Sequence, residues 1–145
     1  MQPALRLRFL NNNKSLPTMG KNNIPPLEKG AILYGKHMYK IKRVLGKGVS
    51  GITYLAESQV YDGDTPMFTP YIIKEYCPAE LCTRRDNGDI EMNGALADDF
   101  LRGMEAFKEK ALKSCKKESG DNGEKEVVEA RQTVYFITER PTKQD

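Results

Sequence analysis

Leu45-Gly46-Lys47-Gly48-Val49-Ser50-Gly51-Ile52-Thr53-Tyr54-Leu55-Ala56 decides how this chain is read. Glycines spaced Gly-x-Gly-x-x-Gly fit several phosphate-binding architectures, and the residues after the last glycine separate them. A dinucleotide-binding loop opens a helix at that point, whereas Ile52-Thr53-Tyr54-Leu55 are strand formers. A Walker A loop ends in Gly-Lys-Ser/Thr, which Gly46-Lys47-Gly48 does not supply. Upstream, apolar and basic residues alternate from Tyr39 to Leu45, as in a half-buried strand. The glycines therefore sit at the tip of a β-hairpin. Such a flap presents bare backbone that can approach phosphate oxygens and tolerate unusual dihedrals. Taken alone, a tight hairpin without a ligand explains the glycines equally well.

Outward from the flap the elements alternate clearly. Asp62-Gly63-Asp64-Thr65-Pro66 reads as a turn, and Met67–Tyr76 as a third strand with Lys74 in its middle. Residues 81–93 read as a small hairpin around Asp86-Asn87-Gly88-Asp89. From Asp98 to Lys117, Phe100, Met104, Phe107, Ala111 and Cys115 recur at helical spacing on one face. Asp98 and Asp99 at the start and Lys113, Lys116 and Lys117 at the end suit the helix dipole. Gly120-Asp121-Asn122-Gly123 stops the helix, and two strands, Lys125–Ala130 and Thr133–Thr138, close the pattern. The expected fold class is α+β, a five-stranded antiparallel sheet with one packed helix and a small hairpin insert.

Residues 1–27 carry Arg6, Arg8, Lys14 and Lys21 without an acid, are rich in Asn and Pro, and end at Pro25-Pro26. They are expected to form a disordered basic tail, followed by a folded domain over 28–139 and a C-terminal tail over 140–145. A chain of 145 residues with 39% hydrophobic and 30% charged residues has the balance of one soluble globular domain. Its apolar runs are too short to cross a bilayer, so no membrane contact is expected. A net charge of +3, interleaved with acids, does not suggest nucleic acid. Cys77, Cys82 and Cys115 lack Cys-x-x-Cys spacing and His37 is the single histidine, which argues against a metal site and for reduced thiols in a cytoplasmic protein.

The run Leu45 to Ala56, with Tyr71-Ile72-Ile73-Lys74 after it, resembles the ATP-binding signature of protein kinases. With Ile73-Lys74-Glu75-Tyr76-Cys77-Pro78-Ala79-Glu80-Leu81, it looks most like the N-terminal lobe of bacterial serine/threonine kinases, over about residues 28–139. The resemblance implies that Gly46, Lys47, Gly48, Val49 and Gly51 cover the phosphates of ATP and that Lys74 holds them. Leu45, Thr53 and Ile72 would line the adenine pocket, with Thr138 as gatekeeper and Glu139 opening the hinge whose backbone meets the base. Glu109, by spacing, and Glu105, by helix phase, are the candidate partners of Lys74.

Several features depart from the family pattern. Ser50 replaces the usual aromatic at the flap tip, Ile72 the usual alanine over the adenine, and no His-Pro-Asn comes after the helix. No Asp-Phe-Gly is present, and Arg85-Asp86, which superficially resembles the catalytic loop, precedes the helix. No catalytic residue and no Mg²⁺ ligand is therefore assigned. ATP binding by this chain alone is expected to be weak or absent, with Mg²⁺ held only if a C-lobe is supplied. That C-lobe, or another protein covering the exposed lobe face, is the expected partner. A non-catalytic pseudokinase-type module and a small β-rich interaction protein remain as alternatives.

Overall fold

The computed structural model describes residues 22–116 and 123–140. Strand β1 (Ile32–Tyr34) is followed by β2 (Met38–Lys47), β3 (Gly51–Asp62) and β4 (Thr65–Tyr76). A small hairpin of β5 (Cys82–Arg84) and β6 (Ile90–Met92) comes next, then helix α1 (Ala97–Lys116), β7 (Lys125–Ala130) and β8 (Thr133–Glu139). The large strands form one antiparallel sheet in the order β1-β2-β3-β4-β8-β7.

The sheet has six strands, not the five expected. The extra strand is β1, whose three residues are too few for alternation to show. Gly30, in the left-handed region at φ 92°, turns the chain so that its N–H donates to the carbonyl of Ile41 and lays β1 along β2. A second correction concerns the expected tail. Asn22, Ile24 and Leu27 are buried, so the packed structure starts before residue 28; residues 1–21 and 141–145 lie outside the described residues.

Antiparallel partners share a face of the sheet, so the register sorts the side chains. Tyr54, Ile73 and Ile137 lie in one row across β3, β4 and β8, and Ile52, Glu75 and Tyr135 in the next. All six are buried, and this is the core face. The N-terminal segment and the β5–β6 hairpin cover it, contributing Ile24, Leu27, Cys82 and Ile90. The opposite face carries the rows Thr53–Lys74–Phe136 and Leu55–Ile72–Thr138.

Helix α1 covers one end of that second face. Tyr76, two residues beyond Lys74 and hence pointing the same way, packs its ring against Phe100 and Phe107 at centroid distances of 5.1 and 5.7 Å. Its hydroxyl donates to the carbonyl of Phe100 at 2.7 Å, and Gly103 leaves the room that this close approach needs. A 3₁₀ turn over Gly94–Leu96 leads into the helix, with the Asn93 side chain accepting from the Ala95 N–H.

At its other end the sheet curls until its margins touch. His37, in the β1–β2 turn, lies 2.6 Å from a Glu124 oxygen, the Tyr71 hydroxyl donates to the same oxygen at 3.1 Å, and Tyr39 donates to Glu126. The hydrogen bond from His37 holds the Glu124 carboxyl below its ordinary range, and burial pushes the Tyr71 hydroxyl up to about 12.

One charged group lies at the centre of the core face. The Glu75 side chain is fully buried and accepts from Arg84 at 3.0 and 2.7 Å, from Tyr54 at 2.7 Å and from Tyr135 at 2.6 Å. Burial pushes both tyrosine hydroxyls up, and the Glu75 charge adds to it, so they remain protonated donors. Burial opposes the charge on Arg84, but the bonds and charge of Glu75 outweigh it and hold the guanidinium above its ordinary value. Arg84→Ala leaves the carboxylate buried without its counter-ion and is expected to cost about 3–5 kcal/mol. Arg84→Lys should fall between, because an ammonium cannot match the forked contact. Urea unfolding midpoints of the two variants check this order.

Candidate functional site

The loop Gly48–Gly51 links β2 to β3 and is held down from one side. Gly48 N–H donates to the Gly51 carbonyl at 2.8 Å, closing the hairpin. The carbonyls of Ser50 and Val49 accept from the N–H groups of Cys77, at 3.2 Å, and Ala79, at 3.3 Å. Across a planar trans peptide the carbonyl and the next N–H point in opposite directions. Tying back the Val49 carbonyl therefore turns the Ser50 N–H away from the segment after β4. Among the described residues, neither the Val49 nor the Ser50 N–H has a hydrogen-bond acceptor. The two adjacent donors stand free at the loop tip, and no residue from Gly48 to Gly51 takes the left-handed conformation that alternates in an anion-binding nest.

The three glycines of the motif differ in what the fold requires of them. A Cβ on Gly51 would collide with the carbonyl oxygen of Glu75, so the pairing of β3 with β4 demands glycine there. Around Gly46 and Gly48 nothing lies within 4 Å of a Cβ, and neither has a positive φ. Neither a clash nor a dihedral requires glycine at those two positions, although Gly46 follows the bulge of β2, where glycine is common. Approach of a ligand to bare backbone would explain them.

Lys74 lies opposite Thr53 on one side and Phe136 on the other. It is exposed, and among the described residues no carboxylate lies within ion-pairing distance of its ammonium. Ile72 and Thr138 face each other one row away, on the same face. Gly46 pairs with Thr53, and Leu45 sits in the bulge beside it, 39% exposed. The register thus gathers Gly46, Thr53, Ile72, Lys74 and Thr138 on one side of the sheet.

Other expected site residues are not brought there. Lys47 sends its ammonium toward the Ile24 carbonyl at 3.4 Å, away from the open face. Glu105 pairs with Lys108 at 3.6 Å, and Glu109 is exposed without an ion-pair partner among the described residues. Neither meets Lys74. The reason is helix phase: at about 100° per residue, Glu109 falls roughly opposite the face of Phe100, Phe107 and Ala111 that packs on the sheet. Glu139 ends β8 with its N–H donated to the Glu124 carbonyl at 2.8 Å, and the Arg140 N–H goes to the Pro70 carbonyl at 2.9 Å. Both donors at that point are occupied.

Sequence reasoning missed Asn22. Its side chain is buried and donates to the Gly48 carbonyl at 3.1 Å and the Cys77 carbonyl at 2.9 Å. No periodicity marks an isolated asparagine in a polar segment.

The thiols of Cys77 and Cys82 are raised by burial, Cys82 to about 11, which leaves them protonated and unreactive. Among the described residues no three His, Cys, Asp or Glu side chains converge as metal ligands, and no helix is long and apolar enough to cross a membrane.

No protein-family model and no curated protein matches the chain. Among solved structures, the apo form of PpkA-294 is similar in fold, with a TM-score of 0.62 and 24% sequence identity over 78% of this chain. The match takes in 38% of that chain, so the present sequence spans well under half of its length.

The close approach of the Glu75 carbonyl to Gly51, and the open space around Gly46 and Gly48, give the three glycines different weights in stability. Gly51→Ala is expected to destabilise the protein by about 1–3 kcal/mol through overpacking. Gly46→Ala and Gly48→Ala should stay within about 1 kcal/mol of the parent, on the neutral or stabilising side. Thermal melts of the three variants test the contrast.

Proposed function

We propose that this chain is the nucleotide-gripping lobe of a serine/threonine kinase-like protein, which holds ATP phosphates weakly on its own and does not transfer them. The observation that carries this reading is the pair of glycines, Gly46 and Gly48, at positions where no clash and no positive φ demands them, on the hairpin whose tip holds the two free N–H donors. Lys74, exposed and unpaired among the described residues, supplies a long-stemmed cation on the open face. Similarity to PpkA, a bacterial Ser/Thr kinase, supports a kinase-related origin for the fold.

In this reading the loop N–H groups and Lys74 take phosphate oxygens, which need donors and positive charge at close range. Leu45, Thr53, Ile72 and Thr138 form the apolar floor for the base. With the Glu139 and Arg140 N–H groups committed to Glu124 and Pro70, the base has fewer hinge donors to meet. Phosphoryl transfer further requires a residue to orient the acceptor hydroxyl and carboxylates to hold Mg²⁺. Among the described residues no three His, Cys, Asp or Glu side chains converge, and on this reading a second lobe would supply the carboxylates. The non-catalytic variant of this reading is favoured by one particular observation: no helix acid among the described residues reaches Lys74. In kinases that ion pair must be in place for activity.

Titration of the chain with Mg·ATP, monitored by amide chemical shifts, is expected to perturb residues 46–51 and 74 with weak affinity. Lys74→Ala should weaken the response about tenfold, some 1.4 kcal/mol. Shifts confined to other regions would remove the phosphate assignment, and sub-micromolar affinity would contradict an incomplete site. Radiolabel transfer from ATP to the chain or to generic protein substrates should not exceed that of the Lys74→Ala control.

A further inference from the structure

We propose that Asn22 is the latch of a built-in strap, residues 22–27, that holds the glycine loop seated and thereby sets how freely the loop presents its N–H groups to a phosphate-bearing ligand. The effect on the ligand rests on the function proposed above; the latch itself does not.

One buried amide joins three stretches of backbone. The Asn22 Nδ2 donates both to the Gly48 carbonyl at 3.1 Å, 26 residues away, and to the Cys77 carbonyl at 2.9 Å, 55 residues away. Its Oδ1 accepts from the Ile24 N–H at 2.9 Å, which fixes the side-chain orientation from within the strap. The residue is 4% exposed, so water cannot readily replace these partners. An amide that loses buried partners bears the full cost of desolvation.

The strap that carries the latch is itself anchored. Ile24 and Leu27 are buried, the Leu27 N–H donates to the Tyr54 hydroxyl at 2.9 Å, and Arg84 donates to the Pro25 carbonyl at 2.6 Å. Pro25 and Pro26 restrict the backbone between these anchors. Tyr54 and Arg84 both also bind Glu75, so the strap is tied to the fully buried centre of the core. Lys47 adds a contact from the loop side, to the Ile24 carbonyl at 3.4 Å.

The loop has few other restraints on the segment after β4. Those are the Cys77-to-Ser50 and Ala79-to-Val49 bonds, at 3.2 and 3.3 Å, both at the long end of hydrogen bonding. Lifting the loop breaks these two and the bond from Asn22. The asparagine also holds the Cys77 carbonyl, whose residue donates one of the other two bonds, so one side chain ties the loop, at Gly48, to the residue that anchors Ser50. Removing its donors shifts the balance toward a lifted loop, in which the Val49 and Ser50 N–H groups are no longer pre-aimed.

Asn22→Asp tests this with little change in shape, because it replaces both donors by an acceptor facing two carbonyls. Hydrogen exchange is read at the Cys77 and Ala79 amides, whose acceptors belong to the loop, and at Ile137 in the core. Exchange at Cys77 and Ala79 is expected to rise at least about tenfold, equivalent to 1.4 kcal/mol, while Ile137 keeps its protection. Unchanged exchange at both amides overturns the latch, whatever the protein does with nucleotide. If Ile137 also loses protection, Asn22→Ser is read by the same criterion, and an equal rise at all sites in that variant also overturns it. The second arm is the Mg·ATP titration, in which Asn22→Asp is expected to respond at least about threefold more weakly than the parent. Faster exchange with an unchanged nucleotide response overturns control of the ligand by the latch. Faster exchange with no response in either protein supports the latch and removes the phosphate reading of the loop.

Discussion

The buried carboxylate of Glu75 constrains nearly everything else in this molecule. It lies near the end of β4 on the core face, and its partners come from elsewhere in the chain: Tyr54 on β3, Tyr135 on β8 and Arg84 on β5. A charge in such a place is tolerated only when it is paired and its oxygens are satisfied. Satisfying it requires the strands, the hairpin insert and, through Tyr54 and Arg84, the N-terminal strap to assemble together. A register slip of one residue on β4 would put Glu75 on the open face and Lys74 in the core. The cluster therefore specifies which of the two faces each β4 side chain occupies. It does so without adding apolar burial, which is the office most often attested for buried polar groups.

This couples the core to the open face. Lys74 and Glu75 are neighbours in a strand and must point to opposite sides. Locking the acid inward holds the lysine outward, in the same row as Thr53. The strand also ends beside the glycine loop: the Glu75 carbonyl excludes any side chain at position 51, and Cys77 supplies both a donor and an acceptor to the loop and its strap. A stretch of four residues, 74 to 77, thus sets the cation, the core and the loop anchor.

Much of this is legible in the sequence, for reasons that can be given residue by residue. The strands on either side of the glycines show in alternation, and the helix shows in the spacing of Phe100, Met104, Phe107 and Ala111, because each buries a regular face. β7 ends where expected, since Arg131 and Gln132 form the tight turn after it, both at positive φ. The parts that periodicity does not reveal depend on contacts distant in the chain. β1 exists because β2 offers an edge, and the strap packs because Tyr54 and Arg84 offer an acceptor and a donor beneath it. The role of Glu75 left one usable sign. It shares the parity of Tyr71 and Ile73, so an acid was due on the buried face, and such an acid requires a basic partner. The helix glutamates are the reverse case: family spacing points to Glu109, while helix phase already places it on the side away from the sheet.

The open face shows what the fold alone leaves unsatisfied. On the core face every charged or hydroxyl group of the Glu75 cluster has a partner. Across the sheet, Lys74, on β4, has no ion-pair partner among the described residues, and the free N–H groups of Val49 and Ser50 lie at the tip of the neighbouring β2–β3 hairpin. The β3–β4 ribbon continues this face with Tyr61 and Phe68, both more than half exposed. A solvent-facing sheet surface ordinarily carries interspersed charges of both signs, which keep it soluble and give each ion a neighbour. This face follows that pattern in part, with Arg43 opposite Leu55, Lys125 opposite Thr138 and Lys42 paired to Glu57, whereas in its own row Lys74 stands between Thr53 and Phe136. On the function proposed above, the loop donors and Lys74 would meet the anionic end of a ligand, and Leu45 and Ile72 its flat apolar end.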